Sequence, residues 1–270
     1  MTAWPAIVAR AAVIAASYDT PVTLRQLFYR LVAEQALPNT QVAYKTLSAR
    51  TAEARREDGF PELADRGREI HRLAAWGSPQ TAMAALIAQY RLDRTQGQDV
   101  SLYLAVEKAG LVSQLEAWFS DLGVPILALG GYSSQSYVDV VVRDADMSER
   151  PAVLLYAGDF DPSGEDIDRD FTSRCGCFDE VVRVALDRDQ VEEYHLPPNP
   201  GKATDPRAVG FVARHGKLVQ VELDALAPDL LHQLFADAVA RFWDTSAFEA
   251  ALASEAVGRR ALTSAARGMA

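Results

Sequence analysis

Cysteine is almost absent from this chain of 270 residues: Cys175 and Cys177 are the only two. Their Cys-Gly-Cys spacing is too tight for a zinc ribbon or a thioredoxin-like Cys-x-x-Cys, so the pair predicts reduced thiols, as in a cytoplasmic protein. Long apolar runs are missing as well. No stretch approaches the ~20 residues that cross a bilayer, which predicts no membrane association. Ala6 to Ser17 is apolar, but Arg10 interrupts it and no basic residue precedes it, so a secretory signal is not expected. Internal repeats and low-complexity tracts are also missing, and His195, His215 and His232 show no metal-ligand spacing.

Positive charge is scarce overall. With 27 Lys+Arg against 37 Asp+Glu the formal net charge is −10, which argues against nucleic-acid binding by the whole surface. The distribution is uneven. Residues 1–78 hold 10 basic and 8 acidic side chains, leaving 17 and 29 for the remainder. A slightly basic head on an acidic body fits phosphate binding by the one and metal binding by the other.

What is present suffices for a large core, since 49% of the residues are hydrophobic and 24% charged. Helical periodicity runs from Trp4 to Ser17. Thr23 can cap a second helix, Leu24 to Glu34, with an apolar stripe of Leu24, Leu27, Phe28 and Leu31. At ~100° per residue Tyr29 falls off that stripe, with Arg25 one turn before it, and is expected to face away from the core. A third helix from Gln41 to Glu57 carries Lys45, Arg50, Arg55 and Arg56, and a segment bearing Arg66, Arg68 and Arg72 follows Gly59-Phe60-Pro61. That order suits a helix-turn-helix or winged-helix module, and equally a small helical domain with a solvated charged face.

An Ala-rich helix, Ser78 to Tyr90, leads into the polar stretch Arg91 to Asp99, expected to be a domain boundary. Beyond it strand and helix alternate. Strands are expected at Val100–Val106, Val124–Leu129, Ala152–Tyr156 and Val181–Leu186, with helices at Leu111–Leu122, Ser133–Val142 and Glu165–Phe171. The series predicts an α/β fold with a mostly parallel sheet. Pro197 to Gly201 reads as loop, Leu218 to Leu223 as a strand, Pro228 to Phe242 as a helix, and the chain from Ser246 as a helical or frayed tail. Lys202, Asp205 and Arg207 form a polar cluster in the loop. The expected units are thus 1–95, 96–245 and 246–270.

The chemistry concentrates at the strand ends. Glu107 ends the first strand, and Asp159 and Asp161 end the third, inside Gly158-Asp159-Phe160-Asp161-Pro162-Ser163-Gly164. If those strands are neighbours, three hard carboxylate ligands converge at one sheet edge, a donor set suited to Mg²⁺. An EF-hand loop is the rival reading, and Pro162 and Asp166 at unsuitable positions and the strand before the motif count against it. Helix capping accounts for one aspartate but not for three converging acids.

Together with Gly130-Gly131 after the second strand, these residues resemble the Toprim domain of topoisomerases, primases and related nucleases. Val106-Glu107-Lys108 and the Asp159-x-Asp161-x-x-Gly164 loop look like the A subunit of topoisomerase VI and its relative that makes meiotic double-strand breaks. In that family a winged-helix domain precedes Toprim and carries an Arg-x-x-aromatic-Tyr motif, which Arg25-Gln26-Leu27-Phe28-Tyr29 matches. The glycine pair departs from the family's pattern in being followed by Tyr132-Ser133-Ser134.

The resemblance implies a winged-helix-like domain followed by a Rossmann-like Toprim domain, and a 5′-phosphotyrosyl bond made through Tyr29. Arg25 would stabilise the developing charge, and Glu107, Asp159 and Asp161 would hold Mg²⁺. Lys45, Arg50, Arg55, Arg56 and Lys108 are the candidate contacts to double-stranded DNA. A homodimer and an ATPase partner subunit follow from the same resemblance. Some Toprim relatives, such as the Wadjet defence nuclease subunit, cut without a tyrosine adduct, so a water-using nuclease and a non-catalytic DNA-binding protein stand as alternatives.

Overall fold

A computed structural model describes residues 4–57, 59–64, 73–200 and 204–268. Arg66, Arg68, Arg72 and Lys202 lie outside the described residues. Three helices open the chain: α1 (Trp4–Ala16), α2 (Leu24–Ala33) and α3 (Gln41–Arg56). Thr23 and Gln26 form a reciprocal capping box that starts α2, while the Thr40 side chain accepts the Ala43 N–H to start α3. Helix α4 (Pro79–Gln89) begins with Pro at its first turn behind the cap Ser78.

The remainder is α/β. In chain order come β1 (Ser101–Val106), α5 (Val112–Phe119), β2 (Ile126–Ala128), α6 (Gln135–Met147), β3 (Ala152–Ala157), α7 (Gly164–Cys175) and β4 (Phe178–Ala185). After them come α8 (Arg188–Glu193), β5 (Asn199–Pro200), α9 (Ala208–His215), β6 (Val219–Gln220), α10 (Pro228–Ala240) and α11 (Thr245–Gly268). The strands β1 to β4 form one parallel sheet in the order β2-β1-β3-β4. All six residues of β1 and all six of β3 are buried, as expected of central parallel strands covered on both faces.

Alternation along these strands divides the interior in two. Leu102, Leu104, Val106, Val153 and Leu155 face a cluster that includes Leu115, Phe235 and the inner sides of α1 to α3. Tyr103, Ala105, Leu154 and Tyr156 face a second cluster with Val138, Val141 and Phe171 of α6 and α7. One continuous apolar cluster therefore joins the N-terminal helices to the sheet.

Several expectations need correction. The stretch Pro197 to Gly201, expected as loop, contributes the short strand β5 at Asn199–Pro200, and α9 follows where no helix is expected. The strand expected at Leu218–Leu223 pairs only at Val219–Gln220 and through a bridge from Val221 to Phe160, then turns into a short 3₁₀ segment at Leu223–Ala225. Tyr29 does not face away from the core: it is 3% exposed. The apolar stripe accounts for only one of the two surfaces that cover α2. Its other side packs on the Leu223–Ala225 segment, where the Arg30 guanidinium donates to the Ala225 carbonyl. Among the described residues no helix is long and apolar enough to cross a membrane.

Candidate active site

Strand pairing builds the acid cluster. Val106 of β1 lies opposite Ala157 of β3, and the Glu107 N–H donates to the Ala157 carbonyl at 3.0 Å. The two chains therefore leave the sheet side by side, and Glu107 Oε2 accepts the Asp159 N–H at 2.9 Å. Asp159 and Asp161 are both buried.

Two glycines permit the turn. A Cβ on Gly164 would collide with the Asp159 carbonyl oxygen, and one on Gly158 with the Tyr156 hydroxyl. Asp161 Oδ1 accepts the Gly164 N–H at 2.7 Å, so this aspartate does cap the start of α7, and its Oδ2 accepts from Gln220 at 2.7 Å. Phe160 exchanges backbone hydrogen bonds with Val221, which draws the segment after β6 over the acid loop. Asp159 Oδ1 then accepts the Leu223 N–H at 2.8 Å.

Lys108 is turned inward. Its ammonium lies 2.9 Å from Asp159, 3.1 Å from Glu222 and 3.0 Å from Asp224. With its donors so engaged it is not available to a DNA phosphate. Burial pulls this ammonium's pKa down, but Asp224, Asp159 and Glu222 outweigh burial and hold it above the ordinary lysine value. Burial and the charge of Asp159 push Glu107 up to about 7, against the opposing Asp159 N–H and Lys108. Burial likewise raises Asp159, with Lys108 and the Leu223 N–H opposing.

Glu222 extends the network to the N-terminal helices. The Arg25 guanidinium donates to its carboxylate and sits 5.4 Å from the centre of the Tyr44 ring. Burial opposes the charge of Glu222, yet Lys108 and Arg25 keep its pKa below the usual carboxylate value. Arg25, Glu222, Lys108 and Asp159 thus form a chain of contacts from α2 to the acid loop.

Tyr29 lies beside that chain. Its hydroxyl lines a cavity of about 260 Å³ with Arg25, Phe28, Tyr44, Asn199 and Glu222. Asn199 Nδ2 donates to the phenol oxygen at 3.1 Å, and Asn39 Nδ2 donates to Asn199 Oδ1 at 2.8 Å. Burial and the charge of Glu222 push the phenol up to about 12, while Asn199, Arg25 and Lys108 work the other way. Arg25 reaches Glu222 rather than the phenol oxygen, so it acts on Tyr29 through charge.

The basic side chains of α3 are placed differently. Lys45, Arg50, Arg55 and Arg56 are all exposed. Arg50 pairs locally with Glu53 at 3.2 Å, whereas Lys45, Arg55 and Arg56 have no carboxylate partner among the described residues.

The donor set was tested against Mg²⁺. Among the described residues no three His, Cys, Asp or Glu side chains converge closely enough to encage one ion. Glu107 and Asp159 nevertheless supply hard, desolvated oxygens at one edge. They fit the way Mg²⁺ is usually held, by one or two carboxylates with water and substrate phosphate completing the shell.

Glu222, Asp224, Gln220, Asn199 and Asn39 were not singled out from the sequence. A signal existed for the first three: Val219-Gln220-Val221-Glu222-Leu223-Asp224 alternates apolar and polar, which puts the polar set on one side. No local pattern marks Asn39 or Asn199. Comparison with protein-family models finds no match, and comparison with curated protein sequences finds no significant match.

Proposed function

We propose that this protein is a Mg²⁺-dependent DNA-cleaving protein that pairs a winged-helix-like N-terminal unit with a Toprim-type sheet, similar to the A subunit of topoisomerase VI. The observation that carries the reading is the meeting of Glu107 and Asp159 at the ends of adjacent parallel strands, with Glu107 held at about 7. A carboxylate pair kept out of water at that edge has a strong demand for positive charge. A Mg²⁺ held by Glu107 and Asp159, with Asp161 beside them, would neutralise phosphate and leaving-group charge.

The chain's own residues take the remaining roles. Lys45, Arg55 and Arg56 on the exposed side of α3 bind backbone phosphates without reading sequence. The phenol oxygen of Tyr29 forms a bond to phosphorus as the bond from phosphorus to the 3′ oxygen breaks. The phenol proton passes to water, and the departing 3′ oxygen takes one up. Arg25 supplies positive charge one helical turn away. As in the family it resembles, the active unit is a homodimer that cuts both strands of double-stranded DNA, with an ATPase subunit as a further partner.

The test is direct. Incubation with supercoiled plasmid and Mg²⁺, followed by denaturing gels, is expected to give protein-linked DNA that Tyr29→Phe abolishes and Asp159→Ala or Glu107→Ala suppresses. An unchanged adduct in Tyr29→Phe would sink the tyrosine assignment. The burial of Tyr29 and its high phenol pKa favour a second reading, a Toprim nuclease that activates water. That enzyme keeps cutting in Tyr29→Phe and stops in Asp159→Ala.

A further inference from the structure

We propose that Asn199, itself oriented by Asn39, is a positioning residue that fixes the phenol oxygen of Tyr29 for attack on phosphorus. The inference rests on the tyrosine reading above and adds two residues to it.

The geometry is specific. A side-chain amide can present either its oxygen or its nitrogen, and here Asn39 presents its nitrogen to Asn199 Oδ1. Because Asn39 Nδ2 donates to Asn199 Oδ1 at 2.8 Å, the Asn199 nitrogen is the end that faces Tyr29, donating to the phenol oxygen at 3.1 Å. The phenol is therefore an acceptor in this pair. Its own proton stays free to leave, and an N–H already aimed at the oxygen strengthens as negative charge develops there. Among the described residues Asn199 is the one hydrogen-bond partner of this hydroxyl.

The three side chains come from distant parts of the chain. Tyr29 lies on α2, Asn39 in the turn before α3, and Asn199 on β5, separated by 170 residues from the tyrosine. Strand β5 pairs with β6, which leads into the segment carrying Glu222. Asn199 on β5 and Glu222 just after β6 thus reach the same cavity from two paired strands, and Arg25 and Tyr29 reach it from α2. Arg25 and Lys108 bring charge near the phenol, and Asn199 brings direction.

The relay is tested with two variants. Asn199→Ala removes the donor. Asn39→Asp keeps the shape but can only accept, so the Asn199 amide turns over and presents its oxygen to Tyr29. Each variant is expected to lower the yield of protein-linked plasmid by roughly 10–100-fold, the scale of a hydrogen bond to a charged oxygen, and to move its pH profile upward. A second readout needs no DNA: 3-fluorotyrosine at position 29, followed by ¹⁹F NMR, is expected to titrate about one pH unit higher in both variants. Changed thermal stability with an unmoved pH profile and titration would mean that the asparagines only clasp the two segments together, and overturns the proposal. Absence of any adduct in the unsubstituted protein overturns the proposed function instead, whatever the titration shows.

Discussion

The ammonium of Lys108 lies 2.9 Å from the Asp159 carboxylate, which follows the end of β3. It also reaches Glu222 and Asp224, so one lysine balances acids from β3 and from the segment after β6. A cation in this position relieves the repulsion that three buried carboxylates would otherwise exert on one another. The same cation ties the acid loop to Arg25, since both share Glu222.

Lys108→Met is therefore expected to destabilise the protein by about 3–5 kcal/mol, the cost of leaving buried carboxylates without a partner. Urea unfolding at neutral pH measures it. If the loop takes a divalent cation, millimolar Mg²⁺ recovers part of the loss in the variant and less in the unsubstituted protein. Equal responses to Mg²⁺ would count against a metal at these acids.

Glu107 predicts a pH dependence of stability. Its pKa is raised from 4.5 to about 7, so between those values the folded protein binds a proton that the unfolded chain has lost. Stability falls as pH rises through this window and levels off above it. The fall is on the order of 3 kcal/mol. Glu107→Gln should flatten the curve. A stability profile of the unsubstituted protein that rises from pH 5 to 7, with Glu107→Gln following the same curve, would contradict the assigned burial of this group.

Gly164→Ala tests the turn that presents the acids. The added methyl would strike the Asp159 carbonyl oxygen, a backbone atom with no freedom to swing aside. A loss of roughly 1–3 kcal/mol or more is expected, and, on the proposed function, less plasmid cutting because Asp159 and Asp161 shift together. Gly77 has open space around it, and Gly77→Ala should stay within about 0.5 kcal/mol.

The exposed side of α3 predicts a salt effect. On the proposed function, replacing Lys45, Arg55 and Arg56 by alanine should weaken DNA binding uniformly across sequences and reduce the slope of log K against log salt by about 2–3. Arg50→Ala should change the slope less, because Glu53 already holds part of its charge. Fluorescence anisotropy over a salt series reads both.

Much of the local structure was legible in the chain. Thr23 announces the start of α2, and the short apolar runs announce β1 to β4. These features depend on neighbours a few residues apart, and they are written in propensity and period. The positions of Glu107 and Asp159 at strand ends belong to the same level.

Their meeting does not. That β1 lies next to β3, with β2 outside it, is a choice among sheet orders, and only this choice brings Glu107 to the Asp159 N–H. Tyr29 shows the same limit: periodicity identifies one apolar side of α2, whereas the segment near residue 223 packs on the helix and Asn199 reaches the phenol from 170 residues away. Arg25 and Glu222 are 197 residues apart, and nothing local couples them. Sequence by itself determined the strands of the parallel sheet, most of the helices and the stock of carboxylates. Tertiary structure alone decided that Lys108 would face inward, that Asn199 would reach Tyr29, and that the acid loop and the tyrosine would share one charged network, because packing energy is settled between surfaces that no short window of sequence contains.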